Sequence, residues 1–293
     1  MPVTVGLVGA GARAAEVFAP ALADSPEVRF TGVWARRREA AEDLARRHDA
    51  QAFDSHGDLV EHCQAVVYAV PPATQADLAP YAARRGRGVL LGVPTAADRA
   101  GAEQVVLAVQ EGRAVSMLVL PWRFAADVRL FLDDQVPALS PRGASAQVVV
   151  GRPATGQAGG VWRHERPVVW GMGPHLLDLL EAALGPIPDV RAHGDPKGWI
   201  SIHGEHQVGR FSNSTIHLTE VGQPSRAVVE VFGVEGSAQV DAASAVGPPA
   251  YRTLVDEFGG AVAARRSGDL DAERGLHLFA LVEAVDDDLL RGR

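Results

Sequence analysis

The stretch VTVGLVGAGARA, residues 3–14, constrains the fold more than any other part of the chain. An apolar run leads directly into Gly9-x-Gly11-x-x-Ala14, and the following AEVFAPALAD has helical spacing. Such a turn suits the binding of a dinucleotide. The first glycine turns the chain tightly, the second lets main chain approach a pyrophosphate, and a small third residue lets the helix sit close to the strand. The anion would meet the free N–H groups of the helix's first turn. Gly9, Gly11, Ala12, Arg13 and Ala14 are therefore candidate cofactor contacts. Glycines also serve ordinary turns, but here a strand precedes the motif, a helix follows it, and a second strand comes about 20 residues on.

That second strand, VRFTGVWA (28–35), ends in Ala35, Arg36, Arg37 and Arg38. Proteins that prefer NAD usually place an acid there to accept from the ribose 2′-hydroxyl. A guanidinium suits a 2′-phosphate instead, so NADP(H) is expected over NAD(H), with Ala35 and Arg36 as contacts. Arg37 and Arg38 also read as solvated residues opening the next helix.

Through residue 120 short apolar runs alternate with amphipathic stretches: AVVYAV (65–70), GVLLG (88–92) and AVSMLVL (114–120) are the later strands. This alternation predicts an α/β domain with a doubly wound parallel sheet of Rossmann type. After Pro121 the strands lengthen and several alternate polar with apolar residues, as in GWISIHGEH and SRAVVEVFG. A helix near 170–184 interrupts them, and two helices close the chain. The expectation is an α+β domain with a largely antiparallel, open sheet. The division expected is 1–120 for dinucleotide binding and 121–293 for substrate and oligomerisation, with a homodimer or homotetramer formed through the second sheet.

Composition narrows the partners. The 28 basic against 36 acidic residues give a formal charge of −8, which disfavours nucleic acid and anionic membranes. No apolar run approaches the ~20 residues that span a bilayer. Cys63 is the only cysteine, so no internal disulfide forms, and with no basic leader at the N-terminus a cytoplasmic location is expected. Metal binding is not expected: His203 and His206 stand three apart in a strand and so face opposite ways. A G-x-S-x-G hydrolase elbow is absent.

Taken in order, GLVGAGARA, AVVYAVPPATQADLA, GRGVLLGVPTAADRAGAEQVV, LPWRFAADVRLF and WGMGPHLLDLLEAALG resemble the Gfo/Idh/MocA family of oxidoreductases over nearly the whole chain. The resemblance implies an NAD(P) cleft between two domains, with the nicotinamide facing the antiparallel sheet. It places Val70, Pro71 and Pro72 beside the nicotinamide ribose, with Gln75 where the family's loop carries a histidine. It also implies cofactor contact at Gly92, Val93 and Pro94, where the family reads Glu-Lys-Pro. The family's Asp-x-Gly-x-His-x-x-Asp appears here as Gly171, Gly173, His175 and Asp178. His175 is the candidate acid–base residue, Asp178 its support on the same helical face, and His164, in the loop with Trp162 and Arg166, a weaker second donor.

The loss of the lysine and the first aspartate leaves two readings. One is an NADP-dependent reductase or dehydrogenase of a small carbonyl, imine or sugar-like substrate with an atypical acid–base set. The other is a catalytically silent or non-redox regulatory protein that binds the cofactor on the same fold.

Overall fold

The valine-rich start of the chain forms β1 (Val3–Val8), buried along nearly its whole length. Such a strand needs cover on both faces, which a parallel sheet with crossover helices supplies. In the computed structural model, which describes residues 1–151, 168–220 and 223–292, β1 is central in a six-stranded parallel sheet. Its partners are β2 (Val28–Trp34), β3 (Gln51–Ala52), β4 (Ala65–Tyr68), β5 (Gly88–Leu91) and β6 (Ser116–Leu118), in the order β3-β2-β1-β4-β5-β6. The order reverses direction between β1 and β4, and ligands of such sheets bind outside the strand ends at that point.

The helices start where the sequence supplies caps. A π-helical turn, Ala14–Phe18, runs into α1 (Ala19–Asp24), and α2 spans Arg38–Arg47. Ser55 accepts from the Asp58 N–H to open α3 (His56–His62), and Asp98 does the same from Gly101 for α5 (Arg99–Gly112). Between them α4 (Pro72–Arg84) begins at a proline and tolerates Pro80 within it.

By contact density the chain forms two units, Met1–Leu120 with Tyr251–Phe279, and Pro121–Ala250 with Ala280–Arg293. The chain passes from the first unit to the second between 120 and 121, and a C-terminal segment returns to the first unit. The reason is packing. Tyr251 meets Phe18 edge-on, Asp256 accepts from Ser25 Oγ, Phe258 is fully buried, and Leu118 N–H donates to the Leu270 carbonyl.

In the second unit a 3-10 turn (Pro121–Phe124), α6 (Ala126–Leu130), a π turn (Phe131–Gln135) and α7 (Val136–Ala138) lead into β7 (Pro141–Gly151). Helix α8 (Val168–Leu184) is followed by β8 (Asp189–Gly194), β9 (Trp199–His206), β10 (Arg210–Thr219), β11 (Arg226–Gly233) and β12 (Gly236–Asp241). Short α9 (Ala242–Ala245), α10 (Pro248–Ala264) and α11 (Ala272–Arg291) complete the order. The sheet runs β12-β11-β7-β10-β9-β8. Every pair is antiparallel except β7 with β10, which is parallel.

Alternation decides the faces. Ile200, Ile202, Ile216, Val229 and Val231 are buried on one side. On the other, Trp199, Phe211 and Phe232 are 45%, 58% and 44% exposed. They share that face because Trp199 pairs with His217, and both Phe211 and Phe232 pair with Gly143.

Candidate functional site

In the first unit the site is built mostly from main chain. Gly9 has φ +115°, and a Cβ on it would stand 2.5 Å from the Ala69 carbonyl oxygen, so the turn requires glycine. At Gly11 the case is different: a Cβ would meet nothing within 4 Å. It would project into space left open beside the start of the helix. Gly9, Ala10, Gly11 and Ala69 together bound a cavity of about 420 Å³ at the β1–β4 reversal. Ala14, fully buried, gives the close helix–strand contact expected of the motif's third small residue.

The end of β2 forms a second wall, with Trp34, Ala35, Arg36, Arg37 and Ala40; the third is Val70, Pro71 and Thr74. Arg36 and Arg37 are exposed. Arg38 is engaged elsewhere, with Glu42 at 2.7 Å and with Asp54. Of the three arginines, two thus face the cavity, and there is no acid among its lining residues. Trp34, Arg37, Ala40 and Thr74 were not singled out from sequence. The signal available was position: Trp34 and Arg37 flank the Ala35–Arg36 pair, and Thr74 lies in the first turn of α4.

Behind Trp34 sits an aromatic cluster. His56 packs edge-on to Trp34 at 5.7 Å and lies 5.6 Å from Tyr81, with its Nε2 3.1 Å from the Tyr68 hydroxyl. Burial pushes this imidazole down to about 4 and the Tyr68 phenol upward.

Other expected cofactor residues lie away from this cavity. Ala12 is partly buried within the turn. Arg13 turns its guanidinium over the Phe18 ring and hydrogen-bonds Tyr251, and burial lowers its pKa. Pro72 is buried at the head of α4. Gln75 is 1% exposed and braces the next strand's turn: its Nε2 donates to the carbonyls of Gly92 and Thr95 at 3.1 and 2.8 Å, and its Oε1 accepts from Gly92 N–H at 2.8 Å. Val93 is 7% exposed, and its peptide to the buried Pro94 is cis. Gln75 thus acts on the Gly-Val-Pro turn through hydrogen bonds to its backbone.

In the second unit, the 3-10 turn and α8 bring two motifs together. Arg123 Nη1 donates to Asp178 Oδ2 at 3.0 Å, and the neighbouring Trp122 ring lies 5.5 Å from that of His175. Asp178 is 1% exposed and His175 partly exposed. The spacing of three puts both on one side of α8, but Asp178 is committed to Arg123. His164, with Trp162 and Arg166, lies outside the described residues. Lys197, the single lysine, sits in the turn between β8 and β9. Among the described residues no group of three or more His, Cys, Asp or Glu is placed to hold a metal, and no helix is long and apolar enough to cross a membrane.

Residues 3–119 match the profile of a family described as the Gfo/Idh/MocA oxidoreductase family with an NAD-binding Rossmann fold. Over these residues the chain is similar to that family's Rossmann domain. That family binds NAD through this fold, and the glycine turn, the helix start and the arginine wall fit a pyridine nucleotide. The chain also resembles solved structures end to end. UDP-N-acetylglucosamine 3-dehydrogenase GnnA from Acidithiobacillus ferrooxidans superposes with a TM-score of 0.86 at 19% identity, covering 100% of this chain and 99% of that one. Myo-inositol dehydrogenase from Corynebacterium glutamicum gives 0.85 at 18% identity, with 100% and 98% covered. GenD2 from gentamicin A biosynthesis, in complex with NAD, gives 0.84 at 19% identity, with 100% and 95% covered. At these identities the likeness establishes the fold. No curated protein sequence matches the chain significantly.

Proposed function

We propose that the protein is an NADP-dependent oxidoreductase of a small carbonyl, imine or sugar-like substrate, with His175 as its acid–base group. The carrying observation is the arginine wall: Arg36 and Arg37 line the nucleotide cavity, and no carboxylate is there to repel a 2′-phosphate. A bound reduced nicotinamide supplies hydride. The chain's own residues hold the nucleotide's phosphates at the Gly9–Gly11 turn and deliver the proton from His175 to the substrate oxygen or nitrogen. Asp178, paired with Arg123, fixes the helix turn that carries His175. Two solved structures of similar fold are named as dehydrogenases of UDP-N-acetylglucosamine and of myo-inositol, which supports a sugar-like substrate.

Fluorescence titration of nucleotide-free protein tests the cofactor reading. NADPH should bind at least ~10-fold tighter than NADH, and Arg36→Ala with Arg37→Ala should erase the difference. Equal affinity for both nucleotides in the unaltered protein would overturn it.

The non-redox regulatory reading has one observation in its favour. Val93, buried and unable to carry a proton, stands where the resembling turn has lysine. Bound nucleotide that keeps its redox state across panels of ketones, imines and polyols would favour that reading. Assembly as a homodimer or homotetramer is the proposed use of the exposed sheet face carrying Trp199, Phe211 and Phe232. Phe211→Asp should then shift the protein to a smaller species in light scattering.

A further inference from the structure

At the end of the second sheet where β7 and β10 begin, a cavity of about 750 Å³ opens beside the last turn of α8. Ser140, Arg142 and Arg210 supply its polar side, and Ala183, Val208 and Val234 lie on its apolar side. It shares no residue with the nucleotide cavity. Ala183 stands eight residues beyond His175 on the same helix, about 12 Å along its axis, and no residue of the nucleotide cavity takes part.

The charge here runs against that of the molecule. The chain carries a formal −8, yet no Asp or Glu is among the residues lining this cavity. Arg142 is exposed, with no ion pair among the described residues. Arg210 uses Nη1 to donate to the Leu184 carbonyl at 3.1 Å, which steadies the guanidinium and leaves its other donors available. At its edge Glu235 accepts from Ser140 Oγ at 3.3 Å. The lining itself carries two guanidinium groups and no carboxylate.

Neighbouring His206 does not add charge. Its Nδ1 donates to the Gly185 carbonyl at 2.6 Å, so its Nε2 accepts from the Ser212 hydroxyl at 2.9 Å, a neutral arrangement that burial favours.

The backbone at the mouth is unusual as well. Val208 holds φ +57° and ψ +28°, a left-handed conformation that β-branched residues rarely adopt, and its side chain is 86% exposed. Ser140 also has a positive φ, +50°. Residues held this way concentrate at ligand clamps and switch regions. Val234, 63% exposed, faces the same space.

We propose that this cavity is a second ligand site that takes a small organic oxyanion. A carboxylate or phosphate group binds between Arg142 and Arg210, and an apolar body rests against Val208, Val234 and Ala183. Two guanidinium forks suit the planar or tetrahedral oxygens of such a group, and the apolar wall selects against a bare inorganic ion. The site stands independently of the cofactor proposal, because it shares no residue with the nucleotide cavity.

The test is calorimetric titration of the full chain with phenyl phosphate, benzoate, phenol and inorganic phosphate, at low ionic strength and with NADPH present in excess. At least one aromatic anion should bind with Kd below ~1 mM, and phenol and inorganic phosphate should bind at least ~10-fold more weakly. The better anion tells a phosphate site from a carboxylate site. Arg142→Gln should weaken that anion ~10-fold or more while leaving the thermal midpoint and NADPH affinity unchanged. Arg210→Gln should weaken it too, with some loss of stability from the missing contact to Leu184. The proposal fails if neither aromatic anion binds, if Arg142→Gln binds as well as the unaltered chain, or if inorganic phosphate binds as tightly as either aromatic anion. Binding only in the absence of NADPH would also overturn it, since the anion would then be occupying the nucleotide cavity.

Discussion

Arg123 Nη1 lies 3.0 Å from Asp178 Oδ2, and that carboxylate is 1% exposed while the arginine side chain is 26% exposed. A nearly buried charge held by a partly solvated one makes the pair sensitive to loss of either member. Because Trp122 packs against His175 from the same 3-10 turn, the pair also fixes where the imidazole sits.

Arg123→Ala removes a charge-assisted partner from a buried carboxylate, which destabilises by about 3 kcal/mol when the pair is well buried. The arginine's exposure brings the expected loss down to about 2 kcal/mol. Urea unfolding should show it as a lower midpoint with an unchanged slope. Asp178→Asn, which keeps an acceptor and removes the charge, should cost less.

Two glycines in one turn should respond in opposite ways. Gly9→Ala puts a Cβ 2.5 Å from a carbonyl oxygen in a backbone region that alanine avoids, so it should destabilise by about 2 kcal/mol or more. Gly11→Val points a side chain into open space and should leave stability within ~0.5 kcal/mol. Its effect falls on the ligand: nucleotide affinity should drop at least ~10-fold. Thermal unfolding and nucleotide titration of both variants check the contrast.

Gln75→Leu keeps the volume but leaves the Gly92 N–H and the Gly92 and Thr95 carbonyls without their side-chain partner. Buried groups left this way destabilise by about 1–3 kcal/mol each at most, so a combined loss near 3 kcal/mol is expected. Hydrogen exchange should show faster opening of the Gly92 amide with little change in β1.

His56 supplies a pH dependence. Its folded-state pKa is about 4 against 6.5 when unfolded, so at pH 5 the unfolded chain binds a proton that the folded chain refuses. The stabilisation is complete above about pH 6.5 and is lost as pH falls towards 4. The shift is worth about 3 kcal/mol across that window. His206, also pushed down by burial, contributes with the same sign. Urea unfolding from pH 7.5 to 4.5 should therefore show a shallower fall for His56→Gln than for the unaltered chain.

What could be read beforehand was local. The glycine turn and the alternation in β9 depend on residues a few positions apart, and the parallel sheet follows from strands and helices taking turns. Other features depend on distant partners. Gln75 finds Gly92 across 17 residues, a pairing no periodicity signals. Tyr251 meets Phe18 only because helix α10 returns to the first unit, and the parallel pairing of β7 with β10 depends on the elements between them. The site divides the same way. Arg36 was legible from its place at a strand end, whereas the bond between Arg123 and Asp178 joins two motifs 55 positions apart.

The nucleotide cavity owes much of its surface to Gly9, Ala10, Gly11 and Ala69, residues that offer little besides peptide groups. Peptide groups are not exchanged by point substitution. A chain with this turn can therefore change its proton-carrying side chains without surrendering the main-chain surface that would hold a nucleotide. Inheritance of the ligand and inheritance of the reaction are separable here, and new chemistry can arise on a chain that never stops being loaded.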